Sequence, residues 1–352
     1  MYSLILNALF LVCALLFYNT TYTQPESLSN QLFMETSQKK SPLPALTDGK
    51  MHIYFCGTGI PEPVAQNIRR PACLAIIADK QFILFDAGEG AIETIAGMGL
   101  PFTKIYHVFI THWHSDHFAG LGYLINASWT SGRNQPITVS GPAGIKPVMT
   151  GIDQTYQLDV KFRSENQKNL PQAAFAFANV QEITPKQYGK VLYQTKTWNV
   201  TPFSVDHRPV EPALGYLIHY KGCNVVISGD TRIVPSLAEN SRNADVLINE
   251  AFSHALYIKH GMHHNAVMDP IKRYHSDTLE LAKMAQADHV KYLVLTHLIP
   301  SIPTTTAAKK AFIAGMNEFY HGTILVADDQ DEIVLSSLEK GCQVQYIPNP
   351  PP

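Results

Sequence analysis

The chain has 352 residues, 45% of them hydrophobic and 16% charged, and 27 basic against 29 acidic side chains leave a net charge of -2. That length supports one large domain or two small ones around a sizeable core. No basic run stands out, so composition argues against a large polyanionic partner such as nucleic acid, while leaving room for a small anionic substrate held by one or two arginines.

Residues 4–18 are almost wholly apolar and are followed by a polar stretch. This reads as a signal peptide over residues 1–24, with an uncleaved N-terminal anchor as the alternative, since no Lys or Arg precedes the apolar run. Either way the rest of the chain is expected outside the cytoplasm, secreted or periplasmic, with no other membrane association. A polar, Pro-containing leader fills residues 25–50, and the folded domain is expected over residues 51–345. Apart from Cys13, the cysteines are Cys56, Cys73, Cys223 and Cys342. An even number in an exported chain permits disulfides. Cys56 and Cys73, at the end of one expected strand and the start of the next, could pair or stay as small buried hydrophobes.

Structure is expected to begin at Met51. Strands are predicted at 52–56, 72–78 and 81–85, then a helix at 91–98 and a buried strand at 105–110. A strand at 136–140 and a helix after Gly141-Pro142 follow, and the Gln/Asn-rich stretch 153–198 gives no assignment. A second set of strands is read at 201–205, 214–220, 224–228 and 244–249. A helix at 276–286, a strand at 292–295, a helix at 309–319 and a strand at 323–326 complete the series. Strand-rich stretches alternate with helices twice over, which suggests two packed sheets with helices on the outer faces.

The run Thr111-His112-Trp113-His114-Ser115-Asp116-His117 directly follows the 105–110 strand. Imidazole nitrogen and carboxylate oxygen are the groups zinc takes when no thiolate is offered. Open α/β sheets carry their sites at the C-terminal ends of strands. Three further strands end directly in a residue of ligand type, at Asp206-His207, Ser228-Gly229-Asp230 and Thr296-His297, so one metal site built along a shared edge is expected.

These motifs, in this order, resemble those of the metallo-β-lactamase superfamily. Phe85-Asp86-Ala87-Gly88-Glu89-Gly90, Leu214-Gly215-Tyr216, Ser228-Gly229-Asp230-Thr231-Arg232, Asn249-Glu250-Ala251-Phe252 and His275-Ser276-Asp277-Thr278 are similar to the branch that holds ribonuclease Z and a group of secreted arylsulfatases. The resemblance spans about residues 51–300. It implies an αββα sandwich and two zinc ions: His112, His114 and His207 on one, Asp116, His117 and His297 on the other, and Asp230 between them. Asp86 would fix the orientation of a ligand histidine. Asp116, His275 and Glu250 would carry the chemistry, with a hydroxide shared by the metals and oriented by Asp116 attacking in line, and His275, held by Glu250, protonating the leaving oxygen.

Ribonuclease Z carries a long tRNA-gripping arm, in many members between the Gly-Tyr and Ser-Gly-Asp-Thr motifs. Here only residues 217–227 separate them, as in a plain hairpin. The resemblance therefore implies an exported dinuclear hydrolase of sulfate esters or phosphodiesters acting on a small anionic ester, with nucleic acid not expected. A ribonuclease Z-like endonuclease, or a lactonase or β-lactamase of the superfamily, is the alternative; a bridging aspartate is not expected in the zinc β-lactamases. The ligand types also admit iron or manganese, and the residues leave the oligomeric state open, a homodimer included. Trp113, Phe118 and Trp129 are candidates for an aryl-binding wall, Arg69-Arg70 for anion contact, and His260, His263 and His264 for further metal or substrate contact.

Overall fold

The structure is a computed structural model that describes residues 46–62, 69–259, 268–339 and 341–349. Alternation of buried and exposed positions, or uninterrupted apolar runs of five to seven residues, produces strands that lie in two mixed sheets. Numbered in chain order, the first sheet holds β1 (Met51–Gly57), β2 (Cys73–Ala78), β3 (Gln81–Phe85), β4 (Ile105–Phe109), β5 (Ile137–Gly141), β6 (Ala178–Glu182), β14 (Glu332–Leu338) and β15 (Gly341–Ile347). Its spatial order is β15-β14-β1-β2-β3-β4-β5-β6. The second holds β7 (Tyr193–Gln194), β8 (Trp198–His207), β9 (Val210–Tyr220), β10 (Cys223–Ile227), β11 (Val246–Phe252), β12 (Tyr292–Ile299) and β13 (Thr323–Val326), in the order β13-β12-β11-β10-β9-β8-β7.

Three apolar clusters define four layers. Phe55, Ile76, Phe85, Phe109, Tyr216, Val225 and Val294 fill the space between the sheets. The outer face of the first sheet packs, through Ile77, Leu84 and Val108, on Ile92 and Ile95 of helix α1 (Ala91–Gly97), Leu121 and Leu124 of α3 (Leu121–Thr130), and Ile145 and Met149 of α4 (Ile145–Asn166). The outer face of the second packs on Leu237 of α5 (Pro235–Ser241), Leu281 of α8 (Thr278–Ala287) and Phe312 of α9 (Thr306–Phe312). The short helices α2 (Ser115–Phe118), α6 (His254–Lys259) and α7 (Met268–Ile271) complete the set. This is the expected αββα sandwich.

Four details go beyond the sequence reading or correct it. The unassigned stretch contributes most of α4, then β6 and β7. The predicted helix at 309–319 begins at Thr306, whose N-cap Thr305 accepts the Ala308 N–H, and ends at Phe312; a separate 3-10 turn covers Met316–Glu318. Two C-terminal strands, β14 and β15, were not anticipated; β14 pairs antiparallel with β1. The four cysteines form two disulfides: Cys56 and Cys73 pair, and so do Cys223 and Cys342. The second ties β10 of one sheet to β15 of the other.

Candidate metal centre

The strands deliver the polar residues to one edge, and local backbone features aim them. The loop after β4 is stitched to β9: the Tyr216 hydroxyl donates to the Ile110 carbonyl at 2.7 Å, and Leu214 N donates to the Thr111 carbonyl at 3.0 Å. A Cβ at Gly215 would strike the Phe203 ring, so the small residue beside Tyr216 lets β9 lie against β8. Gly229 has φ +60° and a Cβ there would stand 2.6 Å from the Leu214 carbonyl, so glycine is what allows the tight turn that presents Asp230. On β12, Thr296 pairs with Glu250 and Leu298 with Ala251, leaving His297 as the extra residue of a bulge. Its φ of +45° turns the ring toward the centre, the usual effect of a bulge beside a site.

The seven predicted ligands are brought together in two groups. His112, His114, His207 and Asp230 offer donor atoms that all lie within 4.8 Å of one another, and so do Asp116, His117 and His297. Asp230 Oδ2 joins them. It lies 3.9 Å from His112 Nε2 and 3.8 Å from His207 Nε2, and 3.4 Å from both His117 Nε2 and His297 Nε2. All seven except His114 are buried. These separations are too long for hydrogen bonds. His117 Nε2, fully buried, makes no well-aligned hydrogen bond at all. Buried imidazole nitrogens facing carboxylate oxygens across such gaps are what a divalent cation requires, so the residues fit one or two metal ions.

The opposite ring nitrogens of His117, His112 and His207 are anchored. Asp86, at φ +59°, accepts from His117 Nδ1 at 2.7 Å, from Thr111 N at 2.8 Å and from the Thr111 hydroxyl at 2.8 Å. The same hydroxyl lies 3.0 Å from His112 Nδ1, and the Tyr274 carbonyl accepts from His207 Nδ1 at 3.2 Å. These bonds fix the tautomers that turn Nε2 of each ring inward. Without a cation the electrostatics divide the rings. Burial, reinforced by neighbouring His117, holds His112 well below the ordinary histidine pKa, and burial takes His207 down to about 4. Burial also opposes charge on His117, but Asp230, Asp116 and Asp86 outweigh it and raise that ring's pKa. Asp230 is buried, yet His297 and His117 keep it ionised far below the usual carboxylate range.

Glu250 and His275 stand beside the centre, with His275 Nδ1 3.2 Å from Glu250 Oε2. Glu250 Oε1 accepts the Ser276 N–H at 2.7 Å, which ties the acid to the segment bearing His275. Burial raises the Glu250 pKa above its ordinary value. His275 also forms a third compact group with Asp230 and His297.

Several sequence-derived candidates land elsewhere. Trp129, on α3, is fully buried against Val160 of α4 and Ala176 and donates to the Pro171 and Gln172 carbonyls, so it walls no aryl pocket. Trp113 and Phe118 do meet, edge to face at 5.5 Å, next to the ligand loop. Arg69 is buried and donates to the carbonyls of Ile302 and Ala327 and to Asp328, a structural role instead of anion contact. His260, His263 and His264 lie outside the described residues. Sequence reading missed Thr111 and Tyr274 as anchors. The backbone carbonyl of Tyr274 leaves no trace in residue type, whereas Thr111 stands one position before the ligand motif.

Fold and site together define a metallo-β-lactamase-fold hydrolase. The chain belongs to the family described as Anti-Pycsar protein Apyc1, whose model matches residues 51–297. Among curated proteins it is 28% identical over 255 residues to a ribonuclease Z of Mycolicibacterium gilvum, covering 72% of this chain and 85% of the relative. Among solved structures it is similar to the metallo-β-lactamase fold protein YhfI of Bacillus subtilis (TM-score 0.59, 18% identity, 81% of this chain and 99% of that one). It is also similar to the short form of human tRNase Z (TM-score 0.58, 24% identity, 85% and 100%). At such identities the two structures speak for the fold alone.

Proposed function

We propose that this protein is a metal-dependent phosphodiesterase that uses two divalent ions. The observation that carries the reading is Asp230 Oδ2, set within 3.9 Å of imidazole nitrogens from both ligand groups. A carboxylate so placed suits a shared ligand of two ions. Bound metal would supply Lewis acidity toward phosphoryl oxygens and lower the pKa of water at the centre. The residues do the rest. Asp116, whose Oδ2 lies 3.1 Å from His297 Nε2, stands where it can accept a proton from an attacking water. Glu250 Oε2, 3.2 Å from Nδ1 of His275 though not aligned for a hydrogen bond, would attract that side of the ring and leave its Nε2 proton for the departing alkoxide.

Phosphodiesters are preferred over sulfate esters because the curated relatives are named ribonuclease Z. A small substrate is preferred over tRNA on two grounds. The β9–β10 hairpin turns directly at Lys221–Gly222, with Tyr220 paired to Cys223 and no inserted arm. The net charge of -2, with no basic run in the sequence, argues against a large polyanionic partner. The two disulfides, together with the apolar run at residues 4–18, support export to an oxidising compartment. A ribonuclease Z-like endonuclease is the second reading, favoured by the same relatives. The test sets the metal-loaded chain against bis(p-nitrophenyl) phosphate, p-nitrophenyl sulfate and a precursor tRNA. The reading predicts diester turnover well above the other two; tRNA processing without small-diester turnover would replace it with the second reading.

A further inference from the structure

The loop between β13 and β14 sets one carboxylate behind the second ligand group. Asp329 Oδ1 accepts from the Thr58 N–H at 2.8 Å and from the Thr58 hydroxyl at 2.7 Å, and its Oδ2 accepts from the Arg70 N–H at 2.5 Å. One side chain thus clamps the end of β1 to residues 69–71, and Gly59 N donates across the same join to the Arg70 carbonyl at 2.7 Å. The loop itself is fixed. Gln330 N donates to the Phe55 carbonyl at 2.7 Å, and Arg69 donates to the Ala327 carbonyl and to Asp328. Both clamped segments lead to ligands of one group. The Thr58 carbonyl accepts at 3.4 Å from the N–H of Leu298, the residue after the bulged His297. Pro71 lies against Gly88, where a Cβ would stand 2.7 Å from Pro71 Cβ and 2.3 Å from the Asp116 carbonyl. Gly88 N donates to the Ala72 carbonyl at 3.0 Å, and Ala87 N donates to the His117 carbonyl at 2.8 Å. Asp116, His117 and His297 form the second group. The first group is anchored elsewhere, by the Tyr274 carbonyl at His207 and the Thr111 hydroxyl at His112.

We propose that Asp329 is a positioning residue for one of the two ions: it holds the backbone behind Asp116, His117 and His297, so the metal affinity of that group depends on a carboxylate bonded to Thr58 and Arg70. This rests on the two-ion reading above. Metal affinity depends on donors held in place from behind. In Asp329→Asn the single amide oxygen can serve Thr58 or Arg70, and the NH2 group then faces a donor on the other. One of the two segments is released, and with it the support of His297 or of Asp116 and His117.

The test titrates the metal-free full chain with cobalt(II), which accepts the same nitrogen and oxygen ligands as zinc and reports its coordination through visible absorption bands; calorimetry gives the affinities. The parent is expected to bind two ions. Asp329→Asn should weaken one of them by roughly tenfold and shift its absorption band, and that ion should be the one weakened in Asp86→Asn, whose bond is to His117. The other ion should keep the parent's affinity and band, a selectivity that a general loosening of the fold would not produce. Thr58→Val removes the hydroxyl bond and keeps the N–H, so it should cause a smaller loss at the same ion; it decides the matter by the same criteria if circular dichroism shows Asp329→Asn unfolded. Parent-like affinity and bands for both ions, or equal loss at both, overturns the proposal while leaving the two-ion reading intact. A parent that binds a single ion overturns that reading and the proposal with it.

Discussion

Replacing Asp86 by Asn tests whether metal affinity is set from outside the ligand set. Asn tolerates the φ of +59° at this position, so the backbone is not disturbed. The amide oxygen can still accept the Thr111 N–H, now 2.8 Å from Oδ1. The other carboxylate oxygen becomes an NH2 group facing the Thr111 hydroxyl and His117 Nδ1, formerly acceptor contacts at 2.8 and 2.7 Å. Two donors then meet, and His117 relieves the conflict by taking the other tautomer. Its Nε2 would then carry hydrogen toward Asp116 and Asp230, where a metal needs a lone pair. The lost bond is of the charged kind, about 1.5–3 kcal/mol, which corresponds to roughly 10–100-fold in metal affinity. Zinc titration of the apoprotein against a competing chelator, read by calorimetry, should show that loss for the site containing His117, with an unchanged circular dichroism spectrum. Affinity within twofold of the parent would refute the argument that Asp86 sets the tautomer.

The other predictions concern acid, pH and cross-link. His275→Ala should lower kcat by about 10²–10⁴ with metal content retained; loss of metal would instead make His275 a ligand within its group with Asp230 and His297. His107, buried and 2.9 Å from the Ser140 hydroxyl, resists protonation until about pH 4 because burial opposes its charge, against an ordinary value of 6.5. The unfolded chain therefore binds the extra proton first. About 3 kcal/mol of stability is present above pH 6.5 and is lost as pH falls to 4; in His107→Gln, denaturant titrations should show a shallower decline over that range, and an identical slope would refute this origin. Cys223–Cys342 closes a sequence separation of 119 between the two sheets. Removing it through the double Ser variant should cost about 2–5 kcal/mol, seen as a lower Tm than that of the oxidised parent, and no change would mean the sheets hold without the link.

Legibility in the sequence followed the physics of each element. The ligand motif was readable because its chemistry is compressed into six residues at the end of an apolar strand, and because His207, Asp230 and His297 each lie at or near the C-terminal end of a strand of their own. Those strands run in the same direction in one sheet, which brings the three residues to one edge. What depends on contacts between distant segments was not readable. Asp86 was expected to orient a ligand histidine and does so at His117, but its two bonds to Thr111, 25 residues away, follow from the packing of β3 against β4. Arg69 and Trp129 carry polar groups that sequence alone tends to place at a surface or a site, yet both are buried because backbone carbonyls satisfy them. The bulge at His297 and the carbonyl of Tyr274 are backbone features, invisible in residue type. Strand β14 carries only the short apolar run Ile333-Val334-Leu335 between polar residues, and β15 alternates between exposed and half-buried positions at a sheet edge with no run of buried apolar residues.

The most direct test of the central claim is the metal dependence of diester cleavage. The full chain, stripped of metal and titrated with zinc, is assayed on bis(p-nitrophenyl) phosphate beside Asp230→Asn. Turnover that rises to a plateau near two zinc ions per chain, and that is abolished together with paired metal binding in Asp230→Asn, is the result predicted here. A fully loaded parent that leaves the diester intact, or an Asp230→Asn protein that cleaves it as fast as the parent, would contradict the account.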